Sequence, residues 1–305
     1  MAENKKTENK DKQIKKSEKP MGFKVIVNEV VHDKLALVSF FLLCILLLGI
    51  IIATWFYFDK KEVMMVDIFN SYARPGEEGY ILGADKGGRD ILGQLVLGAY
   101  TSVQIGVLVT ILTTVIGVTV GLIIGYYGGM VDNIIMRIID FLQVLPVTMI
   151  IIVLVTIIPR YNKWKFVLIM SAFYWTGVAR LVRSKSLSEG RKDYISASKT
   201  MGTPPLTIMF GEILPNIGSI IIVDSTLALA ANIGIETGLT FLGFGLPTSE
   251  PSLGTLISYA RDPEVIADKL YIWVPAVLLV LVFTLSINYV GQALRRAADA
   301  KQRRV

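Results

Sequence analysis

Six stretches of the sequence are apolar over about the length that an α-helix needs to cross a lipid bilayer. A helix rises about 1.5 Å per residue, so about 20 apolar residues cover the roughly 30 Å of hydrocarbon. Of the 305 residues, 53% are hydrophobic and 18% are charged, which is too apolar for an ordinary soluble domain. The sequence therefore predicts an all-α integral membrane protein with six transmembrane helices. The predicted spans cover residues 35–58, 102–127, 134–158, 166–182, 217–241 and 271–291.

An even number of spans places both termini on one side of the membrane. With the N-terminus inside, the inner segments carry more Lys and Arg than the outer segments, even without the distal lysines of the leading tail. Because positively charged loops stay in the cytoplasm, we predict that both termini are cytoplasmic. The cations lie mostly in the leading tail and at the ends of apolar runs, so their distribution favours contact with membrane lipid and argues against nucleic acid as a partner.

Several kinds of independent chemistry are excluded by composition. The single cysteine, Cys44, lies inside an apolar run and the single histidine, His32, precedes it, so the chain can form neither an internal disulfide nor a Cys-His catalytic pair. We expect no metal site. The sequence contains no Gly-Lys dipeptide and therefore no Walker A phosphate loop. If the protein transports a solute, the energy has to come from another subunit.

Three glycines in the second predicted span recur every four residues, at Gly117, Gly121 and Gly125. This spacing places them on one helix face, where small residues let a second helix approach closely. The alternative is that these glycines are merely tolerated on a face that contacts lipid.

Two carboxylates interrupt the fifth predicted span, Asp224 and Glu236. A charged side chain facing the bilayer centre costs about 2.5–3.5 kcal/mol, so we expect these residues to face the interior, a water-filled path or a partner. They are the candidate residues of a translocation path. The alternative is that the span has a different frame, so that one of the two, Glu236 or Asp224, lies at the membrane interface.

The segment DYISASKTMGTPPLTIMFGEILPN, residues 193–216, is longer than a connection between neighbouring helices requires. We call it the inner loop. Its pattern predicts a short helix over 194–201, a turn at Gly202, and a second helix that starts near Pro204 and ends at Leu214, where Pro215 breaks it before the fifth span. A protruding pair of helices is typical of a docking element, whereas the alternative is an amphipathic helix lying on lipid.

The inner loop resembles a known motif. Ser196-Ala197-Ser198, then Gly202, then Ile213-Leu214-Pro215 is similar to the "EAA" loop of membrane subunits of ATP-binding-cassette (ABC) importers. Three further stretches resemble the oligopeptide/dipeptide branch, specifically the second, shorter permease of its heterodimer. They are LGADKGGRDILGQLVLGAYTSVQIG (82–106), GYYGGMVDNIIMRIIDFLQVLP (125–146) and ETGLTFLGFGLPTSEPSLGTLIS (236–258).

The resemblance implies a type I ABC importer permease fold, with a cytoplasmic coupling helix between spans four and five. Residues 1–34 would be a Lys-rich cytoplasmic tail, 35–100 the first span with an extracytoplasmic segment, 101–291 the permease core, and 292–305 a basic cytoplasmic tail. The coupling helix would dock on an ATPase subunit. The docking residues that the motif assigns are Tyr194, Ser196, Ala197, Ser198, Gly202, Pro204, Leu214 and Pro215.

The function implied by the resemblance is that of a transport subunit without enzymatic activity, in a bacterial or archaeal cytoplasmic membrane. Its expected partners are a homologous second permease, two ABC ATPases and an extracytoplasmic substrate-binding protein, besides membrane lipid. ATP and Mg²⁺ would bind to the ATPases, and this chain would bind no cofactor. Peptide is the expected cargo. The alternatives are nickel or another small solute within the same family, and an ion-coupled secondary transporter or a membrane scaffold outside it.

One departure from the family motif concerns docking. The usual glutamate of the EAA loop is replaced by Ser196, and its third position, usually alanine, is Ser198. If the family's glutamate pairs with a cation on the ATPase, this chain has to dock through another contact, for which Glu189 or the partner permease are candidates.

Overall fold

The computed structural model describes residues 33–159 and 161–302. The Lys-rich tail predicted for residues 1–34 lies almost entirely outside the described residues. Within those ranges the chain is predominantly helical and contains no β-strand. The helices are α1 (Lys34–Phe56), α2 (Lys60–Val63), α3 (Ile91–Tyr127), α4 (Gly129–Val144), α5 (Val147–Ile157), α6 (Lys163–Glu189), α7 (Asp193–Thr200), α8 (Pro205–Phe241), α9 (Leu253–Ser258), α10 (Pro263–Asp268) and α11 (Leu270–Gln302), with short 3₁₀ turns at Ile68–Asn70 and Tyr259–Arg261.

Five of these helices, α1, α3, α6, α8 and α11, are individually long and apolar enough to cross a membrane. The third predicted span is not one continuous helix, because α4 and α5 meet at an angle of 78°. The break lies at Pro146, which cannot donate a backbone hydrogen bond and which disfavours helical backbone at the preceding residue. Leu145 accordingly has an extended conformation, with φ −69° and ψ 141°. The described residues therefore contain six spans only if the bent pair counts as one.

The second span begins eleven residues earlier than hydropathy predicts. Asp90 caps α3, and its carboxylate accepts hydrogen bonds from the backbone N–H groups of Leu92 (3.2 Å) and Gly93 (2.8 Å). The resulting helix has 37 residues and a length of about 55 Å, which exceeds the hydrocarbon thickness. Because polar capping and not hydropathy decides where it starts, α3 extends beyond the apolar layer.

The fifth span is also longer than predicted, and here the predicted break at Pro215 is wrong. The helix α8 continues through Pro215 from Pro205, with one π-helical segment at Ile208–Ile213. In that segment the N–H of Leu214 bonds to the carbonyl of Met209, five residues back. The wider π turn directly before Pro215 accommodates the proline ring, which would clash in a regular α turn. The second helix of the inner loop is therefore the inner end of span five.

Ion pairs identify the two ends of the helix bundle. At one end Arg296 of α11 pairs with Asp33, the residue that caps α1. At the other end Lys60 of α2 pairs with Glu250, at 2.7 Å. The N-terminal end of the first span and the C-terminal end of the last span thus lie together, as expected for two termini on the same side of the membrane. That this side is the cytoplasm stays a prediction.

The long helix α3 lies at the centre of the chain and packs on α1, α6 and α8. One apolar cluster joins α1, α3, α9 and α11, and its most buried members include Ile91, Ala99, Leu253 and Phe283. A second cluster joins α3, α6, α7 and α8 around Leu122 and Ile208. The inner loop is thereby part of the packed structure.

Candidate functional site

The inner loop forms a helix, a tight turn and a second helix. The first helix, α7, ends at Thr200, and Gly202 follows with φ +79°, a left-handed conformation that favours glycine. Pro204 precedes the next helix and Pro205 is its first residue, where the missing N–H has no partner to lose. The predicted turn at Gly202 and the predicted helix start are thus present in the structure.

Apolar side chains fix the inner loop to the bundle. Ile195 of α7 and Ile208, Met209 and Ile213 of α8 are each at most 1% exposed. They belong to the cluster that contains Leu122 of α3, together with Val182 of α6. These fully packed side chains join α7 directly to α3 and α6.

Polar contacts hold the loop from its other side. The Tyr194 hydroxyl donates to Glu189 Oε1 (2.6 Å) and accepts from Asn216 Nδ2 (3.0 Å), which connects α6, α7 and α8. Partial burial raises the pKa of Tyr194 above its usual value of 10.0, and the bond to Glu189 raises it further, so the phenol stays neutral. Ser198 Oγ donates to Glu212 Oε1 at 2.7 Å.

Most docking residues that the motif assigns lie on the open side of the inner loop. Ser198 and Leu214 are half-buried, and Leu214 packs against the cluster. The exposed residues are Tyr194, Ser196, Ala197, Gly202, Pro204 and Pro215. Sequence reasoning missed Met201 and Leu206, which flank the Gly202 turn with 78% and 67% of their surface exposed. Their signal was two large apolar residues beside a turn.

Glu189 does not fit the alternative docking role considered for it. Its residue surface is only 8% exposed, and its Oε1 is already engaged by Tyr194 and by Lys192 Nζ at 3.0 Å. A carboxylate that bonds within the chain has little capacity to pair with a cation on another subunit. Glu189 therefore stabilises the inner loop itself.

The three spaced glycines of α3 face α6. A Cβ atom at Gly117 would lie 2.5 Å from Val178 Cβ, and at Gly121 it would lie 2.7 Å from the Ala179 carbonyl oxygen. At Gly125 the nearest atom would be Ser186 Cβ, at 2.6 Å. None of these positions has room for a side chain, so the glycine face sets how closely α3 and α6 approach.

The structure does not bring Asp224 and Glu236 together, because twelve residues on one helix separate them by about 18 Å. Asp224 is half-buried. Glu236 is 0% exposed, and its carboxylate accepts from the hydroxyls of Thr240 (3.0 Å) and Thr237 (3.3 Å). The hydroxyls of Ser102 and Ser252 also face it. Glu236 thus lies within the chain among hydroxyl groups of three elements, away from both lipid and open surface.

Two sets of polar contacts within the spans escaped the sequence analysis. Between α3 and α8, Asn232 Nδ2 donates to Thr110 Oγ1 (2.9 Å), and the hydroxyls of Thr114 and Ser225 lie 3.0 Å apart. Between α4 and α6, Asp132 pairs with Arg183, and Asp140 pairs with Arg180. In the sequence, the first set is marked by two threonines four residues apart within an apolar run. The second set is marked by residues of opposite charge within or beside apolar runs.

The outer motif LGADKGGRD forms a polar cluster around Asp85, which is 1% exposed. Its carboxylate accepts from the backbone of Gly87 (2.7 Å), from Gln94 Nε2 (3.0 Å) and from the Tyr259 hydroxyl (2.9 Å). Burial raises the pKa of Tyr259 above its usual value of 10.0, and the nearby Asp85 charge raises it further. The motif therefore joins the start of α3 to the 3₁₀ turn that follows α9.

Comparison with known proteins gives one family and several relatives. A family model described as "Binding-protein-dependent transport system inner membrane component" matches residues 117–304. The oligopeptide transport system permease protein OppC of Lactococcus lactis strain IL1403 is 46% identical over 277 residues, covering 91% of this chain and 94% of that protein. OppC of Mycobacterium tuberculosis strain H37Rv is 37% identical, covering 77% and 80% of the two chains. OppC of Escherichia coli K12 is 34% identical and covers 89% of each.

Proposed function

The chain belongs to the family of binding-protein-dependent transport system inner membrane components, and we propose that it forms half of the translocation path of an ATP-driven oligopeptide importer. It is a multi-pass membrane permease subunit and not itself an enzyme. The observation that carries the cargo assignment is 46% identity to an oligopeptide permease over 91% of the chain. The three stretches at 82–106, 125–146 and 236–258 resemble the same branch.

The partners that we propose are those that membership of this family implies. Two ABC ATPases would bind ATP and Mg²⁺ and supply the energy, and this chain, whose sequence contains no Walker A loop, would bind no cofactor. A homologous second permease would complete the path. A substrate-binding protein on the outer side would deliver the peptide, and the membrane would be the cytoplasmic membrane of a bacterium or archaeon.

We assign docking on the ATPase to the open side of the inner loop. The family's glutamate is replaced by Ser196, Glu189 is engaged within the chain, and the most prominent exposed side chains near the turn are those of Met201 and Leu206. Docking through apolar side chains that enter a groove does not require a charge pair. The packed cluster under the loop supports this role, since it carries a displacement of α7 to α3 and α6.

Within the path, Asp224 is the carboxylate that we assign to the translocated peptide. It is half-buried on α8, and the hydrogen bonds and ion pairs of the described residues do not include its carboxylate. An intramembrane carboxylate that the chain itself leaves available is suited to a water-filled path or to the partner permease. Glu236, in contrast, is surrounded by hydroxyl groups of its own chain, and a packing role fits it better.

The coupling role is tested by changing the turn at Gly202. Proline fixes φ near −65°, so Gly202→Pro cannot adopt the observed +79°, whereas Gly202→Asn tolerates the left-handed conformation. In proteoliposomes containing the purified complex, we expect Gly202→Pro to abolish uptake of labelled peptide while the permease pair still inserts. Gly202→Asn should transport normally.

Two measurements separate the parts of this proposal. Purification through a C-terminal tag should recover a second permease, two ATPases and ATPase activity, and recovery of the chain alone would refute the importer assignment. Normal peptide uptake by an intact Gly202→Pro complex would refute the role of the inner loop without affecting the family assignment. Uptake of nickel in place of peptide would refute only the cargo.

A further inference from the structure

A short strip of the outer segment exposes several large apolar side chains. Met65, Val66, Ile68 and Phe69 are 72%, 51%, 78% and 100% exposed, and we call them the outer apolar strip. Four bulky apolar side chains that are next to each other in sequence and open to their surroundings mark a contact surface. Asp67, which lies between the two apolar pairs, is half-buried.

The backbone under the strip is fixed in place. The N–H of Asp67 donates to the Gly87 carbonyl (2.8 Å), and Ser71 Oγ donates to the Lys86 carbonyl (2.8 Å). The Asp67 carboxylate accepts from the N–H of Phe69 and from Asn70 Nδ2. Since Asp67 in the middle of the strip and Ser71 just after it bond to Gly87 and Lys86 of the LGADKGGRD motif, the backbone of the strip is held in one position.

The chain places this strip close to the outer end of the first span. Trp55, Phe56 and Tyr57 at the end of α1 are 74%, 80% and 76% exposed, an aromatic group of the kind found where helices leave the hydrocarbon layer. Only α2 and its flanking residues separate Tyr57 from Met65.

The helix α2, which connects the end of α1 to the outer apolar strip, packs against the first turn of α3. Val63 of α2 packs on Gly93 in the first turn of α3, because a Cβ at Gly93 would lie 2.7 Å from Val63 Cγ2. Along the chain, the aromatic end of α1 is followed by α2, which exposes both Lys61 and Glu62, and then by the outer apolar strip. Aromatic and aliphatic groups on either side of a charged turn fit a lipid headgroup layer, where Lys reaches phosphate and apolar side chains enter the acyl boundary.

We propose that the outer apolar strip lies in the headgroup region of the outer lipid leaflet and fixes the extracytoplasmic segment to the membrane. The ligand is the lipid surface itself. The fixed segment carries the Asp85 cluster, so this anchor would hold the outer entrance of the permease at a constant height above the bilayer.

The test places a reporter on the strip in the assembled complex. In a Cys44→Ala background, Phe69→Cys is labelled with an environment-sensitive fluorophore and the complex is reconstituted with lipids that carry a nitroxide near the headgroup. Arg74→Cys, five residues along in the same outer segment and exposed, is the matched control. We expect the nitroxide to quench the label at position 69 several-fold more strongly than the label at position 74. If Phe69→Cys does not assemble, Ile68→Cys gives the same test.

Two outcomes would overturn the proposal. Equal quenching at both positions would mean that the strip does not contact lipid. Weak quenching at position 69 together with a blue shift only when purified substrate-binding protein is added would assign the strip to that protein.

A second readout does not depend on a label. Phe69→Asp should detach the strip and speed protease cleavage of the outer segment several-fold in proteoliposomes, whereas Phe69→Leu should leave the rate unchanged. The comparison is repeated in detergent, where a lipid anchor is lost and the two variants should be cleaved at similar rates. A difference that persists undiminished in detergent would point to loop stability and against the lipid contact.

Discussion

Gly121→Ala tests how α3 and α6 are held together. The added Cβ would lie 2.7 Å from the Ala179 carbonyl oxygen and 2.7 Å from Val182 Cβ. The carbonyl belongs to a helical backbone and cannot rotate away. Because carbon contacts are most favourable at about 3.5–4.0 Å, the two helices would have to separate by about 1 Å.

The magnitude follows from the cost of overpacking. Inserting a methyl group into a well-packed site costs about 1–3 kcal/mol. Gly177→Ala is the matched control, since Gly177 lies on α6 and an added Cβ there meets nothing within 4 Å. Both substitutions gain the same helix propensity, about 1 kcal/mol in water, so that contribution cancels between them.

Thermal unfolding of the purified complex in nanodiscs is the assay. We expect Gly121→Ala to unfold at a lower temperature than Gly177→Ala, with a difference in stability of about 1–3 kcal/mol. Peptide uptake should fall with the stability of the complex. If the two variants unfold at the same temperature, α3 and α6 do not depend on close approach at this glycine, and the packing argument is refuted.

Two further predictions concern other contacts. Asp132→Arg should impair peptide uptake because it places a second cation beside Arg183. Combining it with Arg183→Asp should restore part of the uptake. If the double variant takes up no more peptide than either single variant, this ion pair has no role in transport. Gly88→Ala should loosen the outer segment, because its Cβ would lie 1.8 Å from the Asp67 carbonyl oxygen at φ +70°, and faster protease cleavage than in Gly87→Ala, whose nearest contact is 3.3 Å, would show it.

The apolar runs predicted which parts of the chain cross the membrane but not where the helices end. Hydropathy reports the layer that a residue occupies, whereas the start of α3 is decided by the carboxylate of Asp90. The family assignment depended on short motifs and not on hydropathy or on the ends of the helices. The family match to residues 117–304 confirms it.

Two prolines show why helix continuity could not be predicted from the sequence. Pro146 ends α4, and the chain turns by 78° there. Pro215 leaves α8 continuous, because the π segment before it is held in place by the buried Ile208 and Ile213. Both prolines follow a leucine, Leu145 or Leu214, so the residue before the proline does not distinguish them. The difference lies in the packing against α3 and α6, which no local pattern contains.

The same limit applies to the two carboxylates of α8. Asp224 and Glu236 cost a similar amount in an apolar run, but hydroxyl groups from α3 and from the residue before α9 converge on Glu236 alone. Those hydroxyls are distant in sequence, at Ser102 and Ser252, so only the folded chain reveals that Glu236 is satisfied. The sequence shows that both carboxylates are energetically unfavourable in a membrane span. It cannot show which of them packs within the chain and which faces the translocation path.

The contacts of α3 explain how the inner loop could act at a distance. One face of α3 approaches α6 through glycines, and another contacts α8 through Thr110 and Thr114. Both α6 and α8 continue directly into the inner loop, where the Tyr194 hydroxyl joins Glu189 to Asn216. In the coupling role that we propose, a displacement of α7 would reach α3 along two helices at once. By contrast, α4 has only two buried residues, Asp132 and Ile139, and two ion pairs join it to α6, so we expect it to move against α6 more easily than α3 does.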